Sequence, residues 1–326
     1  MKHWPSEAIY SQMNELGRQR VPFVFLLDAF ARYGLLAPLS DAGDLLLFDV
    51  PLGNNLPPKG PKPKLRRWNI EPVDWQRYLE GFNLAMFHIS RGDSFLLNYT
   101  QPTKVDTEAS LRELFDISGA RYRIHLYNSF TCFSPETFVT ITPQGSISSF
   151  PMKGTAEVDD ALSEMRLLMD KKELAEHHTI VDLIRNDLSR VASHVEVKKF
   201  RYTEKIETPF KQIIQVSSHI SGHLGSDWYN RIGDIFAALL PAGSVTGAPK
   251  LKTVEVIREA EQYDRSWYTG VFGFFNGLEL DSGVLIRYIE QGEGGLTYKS
   301  GGGITHRSDP EKEYAELISK VYVPIA

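Results

Sequence analysis

The chain has 326 residues, 42% of them hydrophobic and 24% charged, and its formal net charge is −5. This is an ordinary globular composition, and the acidic balance gives no electrostatic case for nucleic acid as a partner. We expect no membrane span, because the sequence has no run of about 18 apolar residues. We also expect no internal disulfide, because Cys132 is the single cysteine. With no apolar signal core at the N-terminus, the expected compartment is a reducing cytoplasm.

The first half of the chain consists of short apolar stretches separated by turn residues. We predict strands at 23–27, 45–50 and 94–100, a Pro/Gly-rich loop at 54–63 and a helix at 74–90. Residues 121–150 alternate strongly between apolar and polar, with turn residues at 134–136 and 143–145. This alternation predicts a meander of antiparallel strands.

The second half mixes helical and strand patterns. It contains a long helical stretch at 158–191 with one break allowed, strands at 195–200, 213–220, 268–275, 283–291 and 296–299, and helices at 231–240, 251–261 and 310–321. Hairpins dominate, and few strands are joined by helices. The fold class is therefore α+β with large antiparallel sheets, and no linker is long enough to require a second domain.

Residues 241–250, with the sequence PAGSVTGAPK, follow an apolar helical run. Glycines allow a positive φ or a close backbone approach, and the two prolines fix φ. Ser244 and Thr246 supply hydroxyls, and Lys250 supplies a cation. The segment suits an anionic ligand, although a simple turn between two helices explains its local chemistry equally well.

Two acidic segments could act in binding. Glu176 and Asp182 lie in a helix rich in apolar residues, where a salt-bridged amphipathic helix is the alternative to a functional role. Glu313 and Glu316 are three residues apart and share one helix face, just after a run of three glycines that we expect to leave a strand. A hard cation such as Mg²⁺ would neutralise this pair, and solvation beside nearby lysines is the alternative.

Lys153 lies between a predicted strand end and a glycine, in the segment PMKGT at 151–155. A lysine in such a place is usually exposed and inert. Its functional alternative is a nucleophile, which requires a pKa lower than that of an ordinary lysine.

Taken together, residues 92–320 resemble the chorismate-utilising enzymes, which include anthranilate synthase component I, aminodeoxychorismate synthase component I and isochorismate synthase. The resemblance lies in GDSF at 92–95, SPE at 134–136, PMKGT at 151–155, AEHHTIVDLIRND at 175–187, the segment 241–250, YTG at 268–270, IR at 286–287 and GGGI at 301–304. It implies sheets packed as a sandwich with helices outside. It also implies one chorismate-binding catalytic domain over 1–326, with a shortened N-terminal region of about 70 residues folded onto it.

The resemblance also implies a set of site residues. Lys153 is the nucleophile and Glu136 the general acid. The substrate is bound by Thr246, Gly247, Tyr268, Arg287, Gly301 and Gly303, and Mg²⁺ is held by Glu176 and Glu316, with Glu313 close by.

The lysine of PMKGT is typical of aminodeoxychorismate synthase component I, because its relatives usually have alanine there. We therefore expect Mg²⁺-dependent amination of chorismate to 4-amino-4-deoxychorismate, a precursor of 4-aminobenzoate and folate. A separate glutamine amidotransferase subunit supplies the ammonia. Isochorismate synthase, anthranilate synthase component I and a non-catalytic chorismate-binding subunit are the alternatives. Leu96 and Gln215 depart from the family pattern, which often has glutamine and histidine at these positions.

Overall fold

A computed structural model of the chain describes residues 4–58, 60, 63–157, 160, 162–207 and 212–325. For 153–157, 171–172, 205–207 and 212–213 it describes the backbone alone. Parts of the predicted loop at 54–63 and of the predicted helix at 158–191 therefore lie outside the described residues. Within the described chain, no helix is both long and apolar enough to cross a membrane.

The helices of the described chain, in order, are α1 (Ser6–Arg18), α2 (Leu39–Ala42), α3 (Trp75–Ser90), α4 (Leu111–Ile117), α5 (Ser163–Met169), α6 (Lys171–Ser189), α7 (Ile232–Leu239), α8 (Lys250–Glu261) and α9 (Pro310–Ser319). Short 3₁₀ turns occur at Trp228–Arg231 and Gly243–Val245. Several helices begin as their sequence predicts: Asp74 and Asp309 cap the first turns of α3 and α9 with their side chains, and Pro310 follows as the first residue of α9.

The described strands form two antiparallel sheets. Their bounds are β1 (Trp4–Pro5), β2 (Phe23–Leu27), β3 (Tyr33–Pro38), β4 (Leu46–Val50), β5 (Gly53–Asn54), β6 (Asn69–Glu71), β7 (Leu96–Asp106), β8 (Tyr122–Leu126), β9 (Phe130–Ser134), β10 (Thr137–Ile141), β11 (Ser146–Ser149), β12 (Met152–Glu157), β13 (Ser193–Glu207), β14 (Gln212–His223), β15 (Gly247–Ala248), β16 (Val271–Phe275), β17 (Leu280–Val284), β18 (Tyr288–Gly292) and β19 (Gly295–Ile304). The first sheet has the order β1-β3-β2-β16-β17-β10-β11-β14-β12, with β13 also paired to β14. The second has the order β15-β7-β19-β18-β9-β8-β4-β5, with β6 also paired to β7.

The two sheets pack face to face, as strand β2 illustrates. Val24 and Leu26 point into a core shared with β4, β8, β9 and β18 of the second sheet. Phe23 and Phe25 point the other way, into a core that includes α1 and α7. Because successive strand residues face opposite sides, one fully apolar strand serves both layers. The structure therefore confirms the α+β class and the sandwich of antiparallel sheets with helices outside.

Two predictions about strands were wrong. The stretch at 283–291 is not one strand, because β17 ends at Val284 and β18 begins at Tyr288, with Arg287 at φ 53° between them. The glycines at 301–303 do not leave a strand, because β19 continues through them to Ile304. Tertiary pairing with β7 decides the second case, since glycine by itself weakens a strand.

Candidate active site

Residues 241–249 connect α7 to α8 and also reach the second sheet. Strand β15 pairs with Leu96 and Leu97 of β7. Gly247 has φ +127°, and a Cβ atom there would lie 1.9 Å from the carbonyl oxygen of Leu96. The glycine provides both the positive φ and the close backbone approach that were predicted for this segment.

Glu136 lies in the turn between β9 and β10 and is 9% exposed. Ser244 Oγ donates a short hydrogen bond to Glu136 Oε1. The backbone N–H of Glu136 donates to Ser134 Oγ at 3.1 Å, and its carbonyl accepts from the Val284 N–H at 3.1 Å. The predicted general acid is therefore fixed on its backbone side and in contact with the 241–249 segment on its carboxyl side.

Thr246 and Tyr268 are both buried, at 2% and 4% exposure. The carbonyl of Thr246 accepts from the Asn98 N–H at 2.9 Å, which ties this residue to β7. The Tyr268 ring lies 5.8 Å from the Tyr288 ring in the core between the sheets. Burial raises the pKa of Tyr268, so its hydroxyl keeps its proton and can donate a hydrogen bond.

The three glycines at 301–303 belong to β19 and pair with β7. Gly301 pairs with Thr100 and Gly303 with Asn98. A Cβ atom at Gly301 would lie 2.1 Å from the carbonyl oxygen of Tyr99, a distance that no side chain allows. Glycine is required at this position because two backbones approach closely, and not because the chain turns.

Glu313 and Glu316 of α9 converge on this same run of glycines. A Cβ atom at Gly302 would lie 3.3 Å from Glu313 Oε2 and 3.5 Å from Glu316 Oε1. Glu313 is buried, and Lys320 Nζ lies 2.6 Å from Glu316 Oε1 while donating to the Gly301 carbonyl at 2.7 Å. The absence of a side chain at Gly302 therefore leaves room for two carboxylates.

Two converging carboxylates fit Mg²⁺, which is commonly held by one or two carboxylates together with water and substrate oxygens. Among the described residues, no three His, Cys, Asp or Glu side chains are grouped closely enough to hold a metal ion. Glu176, which lies on α6, therefore does not join Glu313 and Glu316 in a three-carboxylate cluster. Its role as a ligand stays a prediction.

Arg287 lies between β17 and β18, in the left-handed conformation noted above. Its guanidinium carbon is 5.2 Å from the centre of the Tyr322 ring. Its Nε is buried and has no hydrogen-bond partner among the described residues. An unpaired buried N–H is costly, so this donor is suited to an incoming acceptor such as a carboxylate.

Lys153 is in β12, which pairs with β14. The register is irregular between Met152, opposite Ser217, and Thr155, opposite Gln215, so Lys153 lies at a break in the ladder. Its side chain is outside what the structure describes. Gln215 is 8% exposed, and its Nε2 donates to Ser217 Oγ at 3.3 Å.

Sequence reasoning missed two buried ion pairs near these residues. Arg265 Nη2 lies 2.6 Å from Glu261 Oε1, and both side chains are 1% exposed. Lys250 Nζ lies 2.7 Å from Asp187 Oδ2. Charges near helix ends usually indicate solvated residues, and polar neighbours such as Asp264 and Ser266 beside Arg265 gave no signal of burial.

The chain is similar in sequence to a family of known proteins and to several of its members. A sequence model of the family described as chorismate binding enzyme matches residues 39–326. A Haemophilus influenzae protein named uncharacterized PabA-like protein is 45% identical over 96% of this chain and 95% of its own length. Aminodeoxychorismate synthase component 1 of Bacillus subtilis is 33% identical over 74% of this chain and 54% of its own. Anthranilate synthase component 1 of Methanothermobacter marburgensis is 34% identical over 75% and 55%.

Among solved structures, anthranilate synthase component I from Streptococcus pneumoniae is similar to this chain, with a TM-score of 0.65 and 27% identity. The match covers 79% of this chain and 59% of that one. The chain thus spans a little over half the length of the aminodeoxychorismate and anthranilate synthase components to which it is compared.

Proposed function

Because this chain belongs to the family of chorismate-binding enzymes, we propose that it aminates chorismate with ammonia to give 4-amino-4-deoxychorismate. One observation carries the choice of reaction: Lys153 stands in the PMKGT segment, on β12 beside Gln215 and Ser217 of β14. Overall identity does not decide it, since the aminodeoxychorismate and anthranilate synthase relatives are 33% and 34% identical to the chain.

The reaction begins with Lys153 as the nucleophile. Its neutral amine forms a bond to C2 of the chorismate ring and gives up one proton, which balances the proton that Glu136 gives to the leaving oxygen. The two ring double bonds shift toward C4, and the bond between C4 and its hydroxyl oxygen breaks. Glu136 protonates that oxygen, which leaves as water. The product of this step is a covalent adduct in which the lysine nitrogen is attached to C2.

Ammonia completes the exchange. It adds to C4, the double bonds shift back, and the bond between C2 and the lysine nitrogen breaks. The proton that the new amine releases is balanced by the one that the departing lysine takes up. The net change replaces the C4 hydroxyl by an amino group and releases water.

The remaining residues bind and orient the two carboxylates of chorismate. Arg287 offers a buried N–H donor, and Tyr268 a protonated hydroxyl. Glu313 and Glu316 are the residues that best fit Mg²⁺, and Glu176 is a further proposed ligand that would have to move toward them to join the set. When bound, the ion neutralises the ring carboxylate and polarises the ring toward attack at C2.

The proposal includes a partner and a compartment. We place the reaction in the cytoplasm, with a separate glutamine amidotransferase supplying ammonia. The cysteine that such an activity uses would have to be Cys132, which is fully buried, and burial raises the pKa of its thiol far from the reactive range. The described chain therefore offers no nucleophile of its own for releasing ammonia from glutamine.

The test is a product analysis. The purified chain is incubated with chorismate, Mg²⁺ and ammonium, and the products are separated by chromatography with and without added aminodeoxychorismate lyase. We expect 4-amino-4-deoxychorismate alone, and 4-aminobenzoate when the lyase is present. Recovery of anthranilate or isochorismate as the sole product would establish one of the alternatives, and binding without turnover would establish a non-catalytic subunit.

A matched pair of lysine variants tests the nucleophile. Lys153→Ala should abolish the adduct seen by intact mass after mixing with chorismate and Mg²⁺ without ammonium. Lys198→Ala changes an exposed lysine that is paired with Glu196 on β13, a strand that, like β12, pairs with β14. It should leave the adduct unchanged. Full activity in Lys153→Ala would remove the basis of the proposal.

A further inference from the structure

Glu261, the last residue of α8, and Arg265 form a two-pronged ion pair inside the protein. Arg265 Nη2 lies 2.6 Å from Glu261 Oε1, and Arg265 Nε lies 2.9 Å from Glu261 Oε2. Both side chains are 1% exposed. Two parallel charge-assisted hydrogen bonds fix the guanidinium plane, so the other donors of Arg265 point in defined directions.

Those other donors reach three separate segments. Arg265 Nη1 donates to the Val245 carbonyl at 2.9 Å and to Thr269 Oγ1 at 3.1 Å. Arg265 Nη2 donates to the Asn98 carbonyl at 2.6 Å. Val245 precedes Thr246, Thr269 follows Tyr268, and Asn98 pairs with Gly303. One guanidinium therefore holds the neighbours of three residues that we assign to substrate binding.

The carboxylate of Glu261 holds β7 at a second residue, Thr100. Its Oε1 accepts from the Thr100 N–H at 2.8 Å and from Thr100 Oγ at 2.7 Å. Thr100 is the partner of Gly301 across the ladder between β7 and β19. Lys299 then anchors the Arg265 backbone, because its Nζ donates to the Arg265 carbonyl at 3.0 Å.

The two reacting residues have backbone contacts of their own. Glu136 is bound through its backbone to Ser134 and Val284, and Lys153 lies in β12, paired with β14. The ion pair contacts neither residue; its one indirect link is to the Glu136 carboxyl, because Ser244, which donates to that carboxyl, adjoins Val245.

We propose that Glu261 and Arg265 are positioning residues that set the affinity for chorismate, by holding Thr246, Tyr268 and Gly301–Gly303 in place without touching the substrate. The inference rests on the proposed function for the site itself. It predicts a split between kinetic constants, since loss of orientation in binding groups raises KM while the reacting groups keep their geometry.

The experiment compares two arginine-to-lysine variants. Arg265→Lys keeps the positive charge but removes the planar guanidinium that binds both carboxylate oxygens of Glu261. Arg123→Lys is the matched control, because Arg123 also binds a carboxylate, that of Asp49, and two carbonyls, those of Phe115 and Ser118, away from the site. We expect KM for chorismate to rise at least about tenfold in Arg265→Lys with kcat within about threefold of the unchanged enzyme, and both constants to stay unchanged in Arg123→Lys.

An unchanged KM in Arg265→Lys, a fall in kcat alone, or an equal rise of KM in Arg123→Lys would overturn the inference. Should Arg265→Lys not fold, Thr269→Val removes a single hydrogen bond from Arg265 and should raise KM about threefold. An unchanged KM in that variant would then overturn it.

Calorimetric titration with chorismate separates this inference from the proposed reaction. If the unchanged enzyme makes a different product while Arg265→Lys still binds chorismate at least about tenfold more weakly, the reaction is wrong and the positioning role stands. If the unchanged enzyme makes 4-amino-4-deoxychorismate and Arg265→Lys binds chorismate equally well, the reaction stands and the positioning role is wrong.

Discussion

Lys250 Nζ lies 2.7 Å from Asp187 Oδ2 and 2.7 Å from the carbonyl oxygen of Leu239, so the first residue of α8 is tied to α6 and to the end of α7. The two charged side chains are only 12% and 11% exposed. Asp187 Oδ2 also lies 3.0 Å from the place that a Cβ atom would occupy at Gly243. The Lys250–Asp187 ion pair thus holds the two ends of the 241–249 segment close to α6.

We predict that Lys250→Met destabilises the protein by about 3–5 kcal/mol, because it leaves the Asp187 carboxylate buried without its counter-ion. Lys252→Met is the control, since Lys252 pairs with exposed Glu255 and such pairs contribute about 0–1 kcal/mol. Urea unfolding at pH 7 measures both free energies. Equal losses in the two variants would show that the buried pair has no special role.

The loss in the free energy of unfolding caused by Lys250→Met should also depend on pH. Burial raises the pKa of Asp187 above its unfolded value, and Lys250 opposes that rise. Without Lys250 the folded pKa rises further. A group with a raised folded pKa gives stability that is fully present below the unfolded pKa, about 3.9, and is lost as pH rises through the folded pKa. The variant should therefore differ most from the unchanged protein near pH 7 and least near pH 4.

Unfolding curves collected between pH 4 and pH 7 provide the measurement. The double variant Lys250→Met with Asp187→Asn removes the titrating carboxyl, so its difference from the unchanged protein should vary less with pH. A difference that is constant over this range in the single variant would contradict the assignment to Asp187.

Local patterns predicted most helices and hairpins, because their periodicity and caps are written in neighbouring residues. Strand 23–27 and the helix that begins after Asp74 are examples. The glycines at 301–303 show where such patterns stop. The sequence alone indicates a chain that leaves a strand, whereas glycine is required at 301 because of the Tyr99 carbonyl on another strand.

The candidate site likewise contains residues that the sequence could identify and contacts that it could not. Motif residues such as Glu136, Thr246 and Glu313 could be picked out because their types and order resemble a known family. The Ser244 contact to Glu136 and the Glu261–Arg265 pair could not, since each joins residues whose pairing depends on the complete fold. Charges that look solvated in the sequence become buried only when the segments around them meet.

Glu136→Gln should lower kcat by about 10²–10⁴ with little change in KM for chorismate, because an amide cannot protonate the leaving C4 hydroxyl. Ser244→Ala removes only the hydrogen bond to Glu136 Oε1 and should lower kcat by about tenfold or less. Steady-state rates with ammonium as the nitrogen donor separate the two. A Glu136→Gln enzyme that keeps the full rate would exclude Glu136 as the general acid.

Gly302→Ala should weaken the use of Mg²⁺ by roughly 10–100-fold, a typical cost of disturbing contacts around metal ligands. The new methyl group would lie 3.3 Å from Glu313 Oε2 and 3.5 Å from Glu316 Oε1, so it would push against the carboxylates that we assign to the ion. The backbone there already has the extended form of a strand, so the fold should survive. The measurement is the Mg²⁺ concentration that gives half of the maximal rate, together with the melting temperature.

Two further glycines make this prediction specific. Gly301→Ala would place a methyl group 2.1 Å from the Tyr99 carbonyl, and it should destabilise the protein by about 1–3 kcal/mol or more. Gly43→Ala meets nothing within 4 Å and should change neither stability nor Mg²⁺ demand by much. If Gly302→Ala needs no more Mg²⁺ than Gly43→Ala does, Glu313 and Glu316 are not the residues that hold the ion, because a side chain between them could not be neutral for a metal bound there.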